Sequence, residues 1–151
     1  MQAFAALRAD HRKVADLFSQ AEAAPTEKQQ QRLFEQISEE LETHTHIEET
    51  VLYPALQQYE KLKDLVLEAL EEHKQVKTLI REIERLSDGS EKFEAKLKVM
   101  KENVEHHVEE EENELFPKAQ QLLSHDELTQ IEEDMEAAKK QFRRTARSGA
   151  R

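Results

Sequence analysis

Five stretches of this chain place apolar residues three or four positions apart. Phe4, Leu7, Val14 and Phe18 share one helical face, as do Ile37, Leu41 and Leu52, then Val66, Leu70, Val76 and Ile80, then Met100, Val104 and Leu115, and finally Leu128, Ile131, Met135 and Phe142. That period marks helices that bury one stripe against a core. Breakers fall between the stripes: Pro25–Thr26, the SDGS turn at 87–90, and Ser124 with Glu127 as a capping box. The pattern predicts helices over about 2–23, 27–57, 61–86, 91–121 and 125–145. Pro54 and Pro117 lie near the ends of the second and fourth, so a kink and a short helical continuation are expected at each.

Two of the stripes contain charge. Ile37, Leu41, His44, Glu48 and Leu52 follow the same four-three-four-four spacing as Met100, Val104, His107, Glu111 and Leu115. The longer strings HTHIEETVLYP (44–54) and HVEEEENELFP (107–117) repeat this arrangement 63 residues apart, and ADHRKVADLF (9–18) and EEHKQVKTLI (71–80) repeat another at an offset of 62. A helix pair has therefore been duplicated. Residues four apart share a helix face, so His44 and Glu48 point one way, as do His107 and Glu111. His11 and His73 stand in the stripes of the other two helices. Thr45, Glu49 and Glu112 fall one position off the stripes, and His46, His106 and His125 read as surface or supporting residues.

Composition narrows the chemistry. Hydrophobic residues make up 37% and charged ones 36%, with two glycines and three prolines, which suits long helices over sheet. Length fits one domain, 1–146, with the four-helix part at about 2–122, the C-terminal helix at about 125–145 and 147–151 as a flexible basic tail. A net charge of −11 argues against nucleic acid or an anionic membrane as partner. No cysteine is present, which removes disulfides, thiolate ligands and thiol nucleophiles. MQAFAALRADHRK lacks the basic and apolar blocks of a leader, and no stretch approaches the ~18 apolar residues of a membrane span. A soluble, cytoplasmic protein is expected.

Four inward histidines and two inward glutamates need an explanation. An unpaired buried carboxylate costs several kcal/mol, and two facing each other add repulsion; a metal pair removes both penalties. Nitrogen and carboxylate donors without sulfur suit iron first, then manganese or zinc. The ferritin-like Glu-x-x-His pattern and the His-Glu-x-x-His protease helix are both absent. Surface pairs on charged helices are the competing reading, and they would leave the leucines of both stripes unexplained.

DH at 10–11, HTHIEETVLYP, EH at 72–73 and HVEEEENELFP together resemble the hemerythrin family, in particular bacterial hemerythrin-like proteins with an HHE cation-binding domain, over roughly residues 3–122. The resemblance implies an all-α, antiparallel up-down four-helix bundle, here with an additional C-terminal helix, holding two iron ions joined by an oxo or hydroxo bridge. Its matching ligands are His11, His44, Glu48, His73, His107 and Glu111, with Glu48 and Glu111 bridging. Oxygen-carrying members have one more histidine on the third helix, where this chain has Lys77. With His11 and His44 on one iron and His73 and His107 on the other, each iron keeps one open position.

The implied function is binding, sensing or handling of dioxygen or related small oxidants, with peroxide and nitric oxide among the ligands. The alternative is a diiron enzyme with peroxidase-like, catalase-like or nitric-oxide-handling activity, and no catalytic residue is assigned. A structural bundle that presents its acidic faces to a partner is a third reading. Leu52, Leu115, Ile80 and Phe18 are expected to line a dry pocket, and the fifth helix to carry no chemistry.

Overall fold

In the computed structural model, residues 4–87 and 89–147 are described, and they contain helices and turns but no strand. Helix α1 (Ala5–Ala23) leads to α2 (Glu27–Ile47), which runs through a π turn (Glu48–Leu52) into α3 (Tyr53–Leu56). After α4 (Glu60–Glu84), α5 (Lys92–Glu110) runs through a second π turn (Glu111–Leu115) into α6 (Phe116–Leu122), and α7 (His125–Arg147) ends the described chain. Apart from Arg147, the expected basic tail lies outside the described residues.

The predicted boundaries have identifiable chemistry. Thr26 caps α2 by accepting the Gln29 N–H at 3.2 Å. Gly89 turns the SDGS segment at φ +73°, a conformation that favours glycine. Ser124 and Glu127 form the expected reciprocal box, Ser124 N–H donating to Glu127 at 2.8 Å and Glu127 N–H to Ser124 Oγ at 3.1 Å.

Helices α1 and α2 run antiparallel, with Lys13 meeting Glu40 and Asp10 meeting His44. So do α4 and α5, with Lys96 meeting Glu82 and His107 meeting Glu72. Contacts of α1 with α5 and with the π turn that follows it, Lys101 on Glu22 and His11 on Glu111, close the four-helix arrangement.

The apolar core is split in two. One cluster holds Leu7, Ile47, Leu52, Ala69, Leu115 and Phe116, and the other holds Val14, Leu41, Val76, Val104 and Met100. Each inward histidine lies between a residue of one cluster and a residue of the other along its own helix: Leu7–His11–Val14, Leu41–His44–Ile47, Ala69–His73–Val76 and Val104–His107–Leu115. The sequence therefore builds a polar layer across the bundle at one height.

Helix α7 packs on α2 and the first π turn, and Ile131 and Met135 join the first cluster. It also fixes the start of α1. Phe4 adopts φ +59°, costly for a residue with a side chain, and the strain is offset by full burial, an N–H bond of 2.9 Å to Glu132 and ring contact with Phe116 at 4.8 Å.

Candidate metal centre

The two prolines act on the site through the backbone. A proline has no N–H, and its ring crowds the carbonyl four residues back. Here the expected break takes the form of a widened turn: Tyr53 N–H reaches the carbonyl of Glu48, and Phe116 N–H that of Glu111, each five residues back. Pro54 and Pro117 then sit in the first turn of the resumed α-helix, where a missing N–H does no harm. The inserted residue rotates the continuing helix, so Tyr53 and Phe116 turn toward the same interior as Glu48 and Glu111. All four are buried.

The six inward residues converge as two sets of four donors that share both glutamates. His11, His44, Glu48 and Glu111 form one, and Glu48, His73, His107 and Glu111 the other, with the donor atoms of each set within 4.8 Å of one another. In the first set His11 Nε2 is 3.2 Å from Glu111 Oε1, and His44 Nε2 is 3.2 Å from Glu48 Oε2. These four atoms are buried and have no hydrogen-bond partner. Leaving four polar atoms unsatisfied in one place is costly unless a cation collects them. In the second set His73 Nε2 is 2.9 Å from Glu48 Oε1 and 3.2 Å from His107 Nε2, which is 3.4 Å from Glu111 Oε2. Neighbouring donors on one ion bonded at ~2.1 Å stand about 3 Å apart, so the spacing fits two adjacent ions.

Each histidine is oriented from behind by a carboxylate on its Nδ1. Glu112 holds His11 at 2.6 Å, Asp10 holds His44 at 3.2 Å, Glu49 holds His73 at 2.7 Å and Glu72 holds His107 at 2.6 Å. A carboxylate there fixes the tautomer that leaves the Nε2 lone pair facing inward and raises its basicity. A cation backs each carboxylate in turn: Arg8 at Glu112 (3.8 Å), Lys139 at Asp10 (3.0 Å), Lys77 at Glu49 (2.8 Å) and, when protonated, His106 at Glu72 (3.6 Å).

These contacts set the charge states. Burial opposes a charged imidazole at His44, but Glu48, Asp10 and Glu111 override it and raise its pKa to about 10. Burial likewise works against His107, and Glu111, Glu48 and Glu72 still hold it well above the usual imidazole range. For Glu48 burial favours the neutral acid, whereas His44, His107 and His73 pull it well below the usual carboxylate range. The layer thus stabilises positive charge at its centre, whether carried by protons or by metal ions, and the two compete.

Several positions differ from the sequence-based expectation. Glu49 and Glu112 are half-buried, because their carboxylates reach round the helix to the histidine of a neighbour, and Thr45 is buried with its hydroxyl on the Glu42 carbonyl at 3.3 Å. A signal for them exists in the chain: the acids of DH and EH, and the second acid of each HxxxEE, recur with the duplication. Helix α7 does contribute, through Lys139 on Asp10 and through Phe142, whose ring stacks on His46 at 4.4 Å. The pocket at the site is lined by the four histidines with Val14, Leu41, Val76, Val104 and Val108, and has a volume of about 30 Å³. Leu52 and Leu115 lie on the other side of the polar layer, and Ile80 and Phe18 lie further along the second cluster. A wider cleft of about 930 Å³, beside Phe34, Ile83 and Phe93, holds none of the inward histidines.

Tyr53 is the residue the sequence did not single out. Its hydroxyl is 3.1 Å from Glu48 Oε1, 3.2 Å from His73 Nε2 and 3.5 Å from His107 Nε2, and it donates a hydrogen bond to Glu111 Oε2. Its counterpart Phe116 instead stacks parallel to His11 at 6.1 Å.

Residues 2–119 match the family described as hemerythrin HHE cation binding domain. The chain belongs to that family. A hemerythrin HHE cation binding domain-containing protein from Mycobacterium kansasii, known from its crystal structure, is similar over 100% of this chain and 95% of its own, with a TM-score of 0.82 and 28% identity. Among curated proteins, a DNA nickase of Nostoc sp. is 30% identical over 133 residues, which are 88% of this chain, and an uncharacterized hemerythrin-like protein of Schizosaccharomyces pombe is 27% identical over 133 residues, which are 87% of it. The HHE chain spans 38% and 66% of the lengths of those two relatives. Its helical bundle and buried histidine–glutamate cluster are those of a metal-binding HHE domain, and no helix among the described residues is long and apolar enough to cross a membrane.

Proposed function

We propose that residues 1–146 form a single HHE domain in which His11, His44, Glu48, His73, His107 and Glu111 hold two iron ions, and that this pair binds, senses or handles dioxygen or a related small oxidant in the cytoplasm. The observation that carries the reading is the pair of four-donor sets sharing two carboxylates, one of which leaves four buried polar atoms unsatisfied. Two neighbouring ions joined by two carboxylates suit iron, since the donors are nitrogen and oxygen without sulfur. When bound, such a pair would supply electrons to a small oxidant. The protein's part is orientation and exclusion: the four outer carboxylates lock the imidazoles, and the two apolar clusters keep bulk water from the polar layer.

A pocket of about 30 Å³ beside the four histidines exceeds the ~10–15 Å³ that one water requires, and it suits dioxygen, peroxide or nitric oxide better than any larger substrate. Nucleic acid is not proposed as a partner, because a net charge of −11 opposes phosphate binding. The relative named a nickase has more than half its length outside the matched region.

Metal analysis with an optical spectrum, first reduced and then after air exposure, tests the reading. Two irons per chain and oxo-to-iron charge-transfer bands are expected. A protein that takes up no metal yet keeps full stability would overturn it. Sustained consumption of hydrogen peroxide, lost in His107→Ala with the fold intact, would move the assignment from binding to enzyme.

A further inference from the structure

We infer that Tyr53 is a seventh protein ligand of the metal pair, bound only to the ion of the His73/His107 side, so that a small exogenous molecule is directed to the ion of the His11/His44 side. The inference rests on the reading of the cluster as a diiron centre and assigns its two halves different work.

The geometry comes from the second donor set. Glu48 Oε1 and His73 Nε2 are 2.9 Å apart, His73 Nε2 and His107 Nε2 3.2 Å, and His107 Nε2 and Glu111 Oε2 3.4 Å, while His107 Nε2 and Glu48 Oε1, across the figure, are 3.9 Å apart. Three short edges and one longer diagonal suit four donors set round a single centre, as the equatorial positions of one ion would be. The Tyr53 hydroxyl oxygen touches all four donors. In an octahedral site with bonds of ~2.1 Å, an axial donor stands about 3 Å from each of the four equatorial ones. Tyr53 meets that spacing for Glu48, His73 and His107, at 3.1, 3.2 and 3.5 Å, and is also in contact with Glu111, whereas a side chain serving only as a hydrogen-bond donor would need one or two of those contacts.

The other half has no equivalent. The duplication places Phe116 where Tyr53 stands, and its ring offers no oxygen to the His11/His44 set, whose four inward atoms remain without hydrogen-bond partners. Lys77 cannot supply a donor either, since its ammonium is held by both oxygens of Glu49 at 2.9 and 2.8 Å. The protein donors therefore number five on one side and four on the other. On metal loading an iron–oxygen bond replaces the phenol O–H bond, and the proton leaves to solvent, as it does for other acidic ligands. The single open position per iron reckoned from the sequence then survives only beside His11 and His44.

Optical and resonance Raman spectra of the iron(III) protein, with iron content and azide as the probe ligand, decide the matter. Wild type is expected to hold two irons per chain, to show a visible phenolate-to-iron charge-transfer band with enhanced tyrosine ring modes, and to bind one azide per iron pair. Tyr53→Phe should keep two irons, lose the phenolate band and modes, and bind a second azide. Phe116→Tyr, which restores the symmetry of the duplicated sequence, should strengthen the phenolate band and lose the azide site of wild type. A wild-type protein with two irons and no phenolate modes overturns the inference while leaving the diiron reading intact. A Tyr53→Phe protein with an unchanged spectrum does the same. A wild-type protein that binds no iron overturns both. Should Tyr53→Phe fail to fold, the wild-type Raman spectrum decides alone.

Discussion

The two halves of the candidate metal centre carry the same types of donor at corresponding places in the sequence and are unlike in detail. Both supply a histidine and a shared glutamate from one helix, a second histidine from another, and two carboxylates behind the imidazoles at corresponding places in the duplication, Asp10 with Glu72 and Glu49 with Glu112. They differ in what stands over the metal positions, a phenol on one side and a phenyl ring on the other. They also differ in where the supporting cations come from: Lys77 lies on α4, two turns from any counterpart of Arg8, and Lys139 belongs to a helix outside the duplication. Duplication can thus place two similar donor sets by symmetry, while single substitutions and an added helix make the surroundings of the two sets unlike.

The largest test removes what the halves share. Because each glutamate serves both donor sets, Glu48→Ala or Glu111→Ala should abolish binding at both positions, whereas His107→Ala should weaken chiefly one. Metal analysis of the three variants reads this directly. Chelation of the wild-type protein should lower its melting temperature by ~5–10 °C, given about 2.7 kcal/mol of linkage at a hundredfold excess of metal over Kd and about 2–4 °C per kcal/mol in a chain of this size. Equal loss of both ions in His107→Ala would break the division into halves.

The next test uses pH. His44 has a folded pKa raised from 6.5 to about 10, so after metal is stripped its contribution to stability is fully present below pH 6.5 and is lost as pH rises through 10. Melting of the chelated protein at pH 6, 8 and 9.5 should show a progressive fall. Metal-loaded protein should be much flatter over the same range, since the ligand is already deprotonated. A chelated protein that gains stability toward pH 9.5 would contradict the charge state assigned to the layer.

Smaller effects separate the two sides. Asp10→Asn should weaken the His11/His44 position and Glu49→Gln the His73/His107 position, each by about 10–100-fold in metal affinity, the usual cost of losing the partner behind a ligating imidazole. Competition titrations with a chelating dye would show the weakened site in each, and identical profiles for the two variants would deny the assignment of carboxylates to sides. Lys139→Ala should do less, since a partly exposed ion pair contributes ~0–1 kcal/mol. Its expected signature is a small shift at the His11/His44 position alone, with melting lowered by no more than ~4 °C.

Much of this is legible in the chain. Helical period and caps predict every helix closely, and one buried stripe per helix places His11, His44, Glu48, His73, His107 and Glu111 in the interior because rotating any helix would expose its leucines. The outer carboxylates are legible in principle, as they recur with the duplication. The helical period alone does not assign them, because it shows only which face a side chain leaves, and Glu49 and Glu112 are long enough to reach a neighbour's imidazole from an off-stripe position. Tyr53 is not legible at all. In an uninterrupted helix Leu52, four residues after Glu48, continues the stripe, and the next residue lies about 100° away; only the π turn ahead of Pro54 brings the phenol round.

The sequence by itself determined the helices, the duplication and the six inward donors, because periodicity and burial are properties of each segment alone. The tertiary structure decided which carboxylate stands behind which histidine, where the small cavity lies, that α7 reaches the site, and that Tyr53 joins one half only. These depend on distances between helices and on a one-residue change in backbone winding, and neither is encoded in the spacing of residues along a single helix.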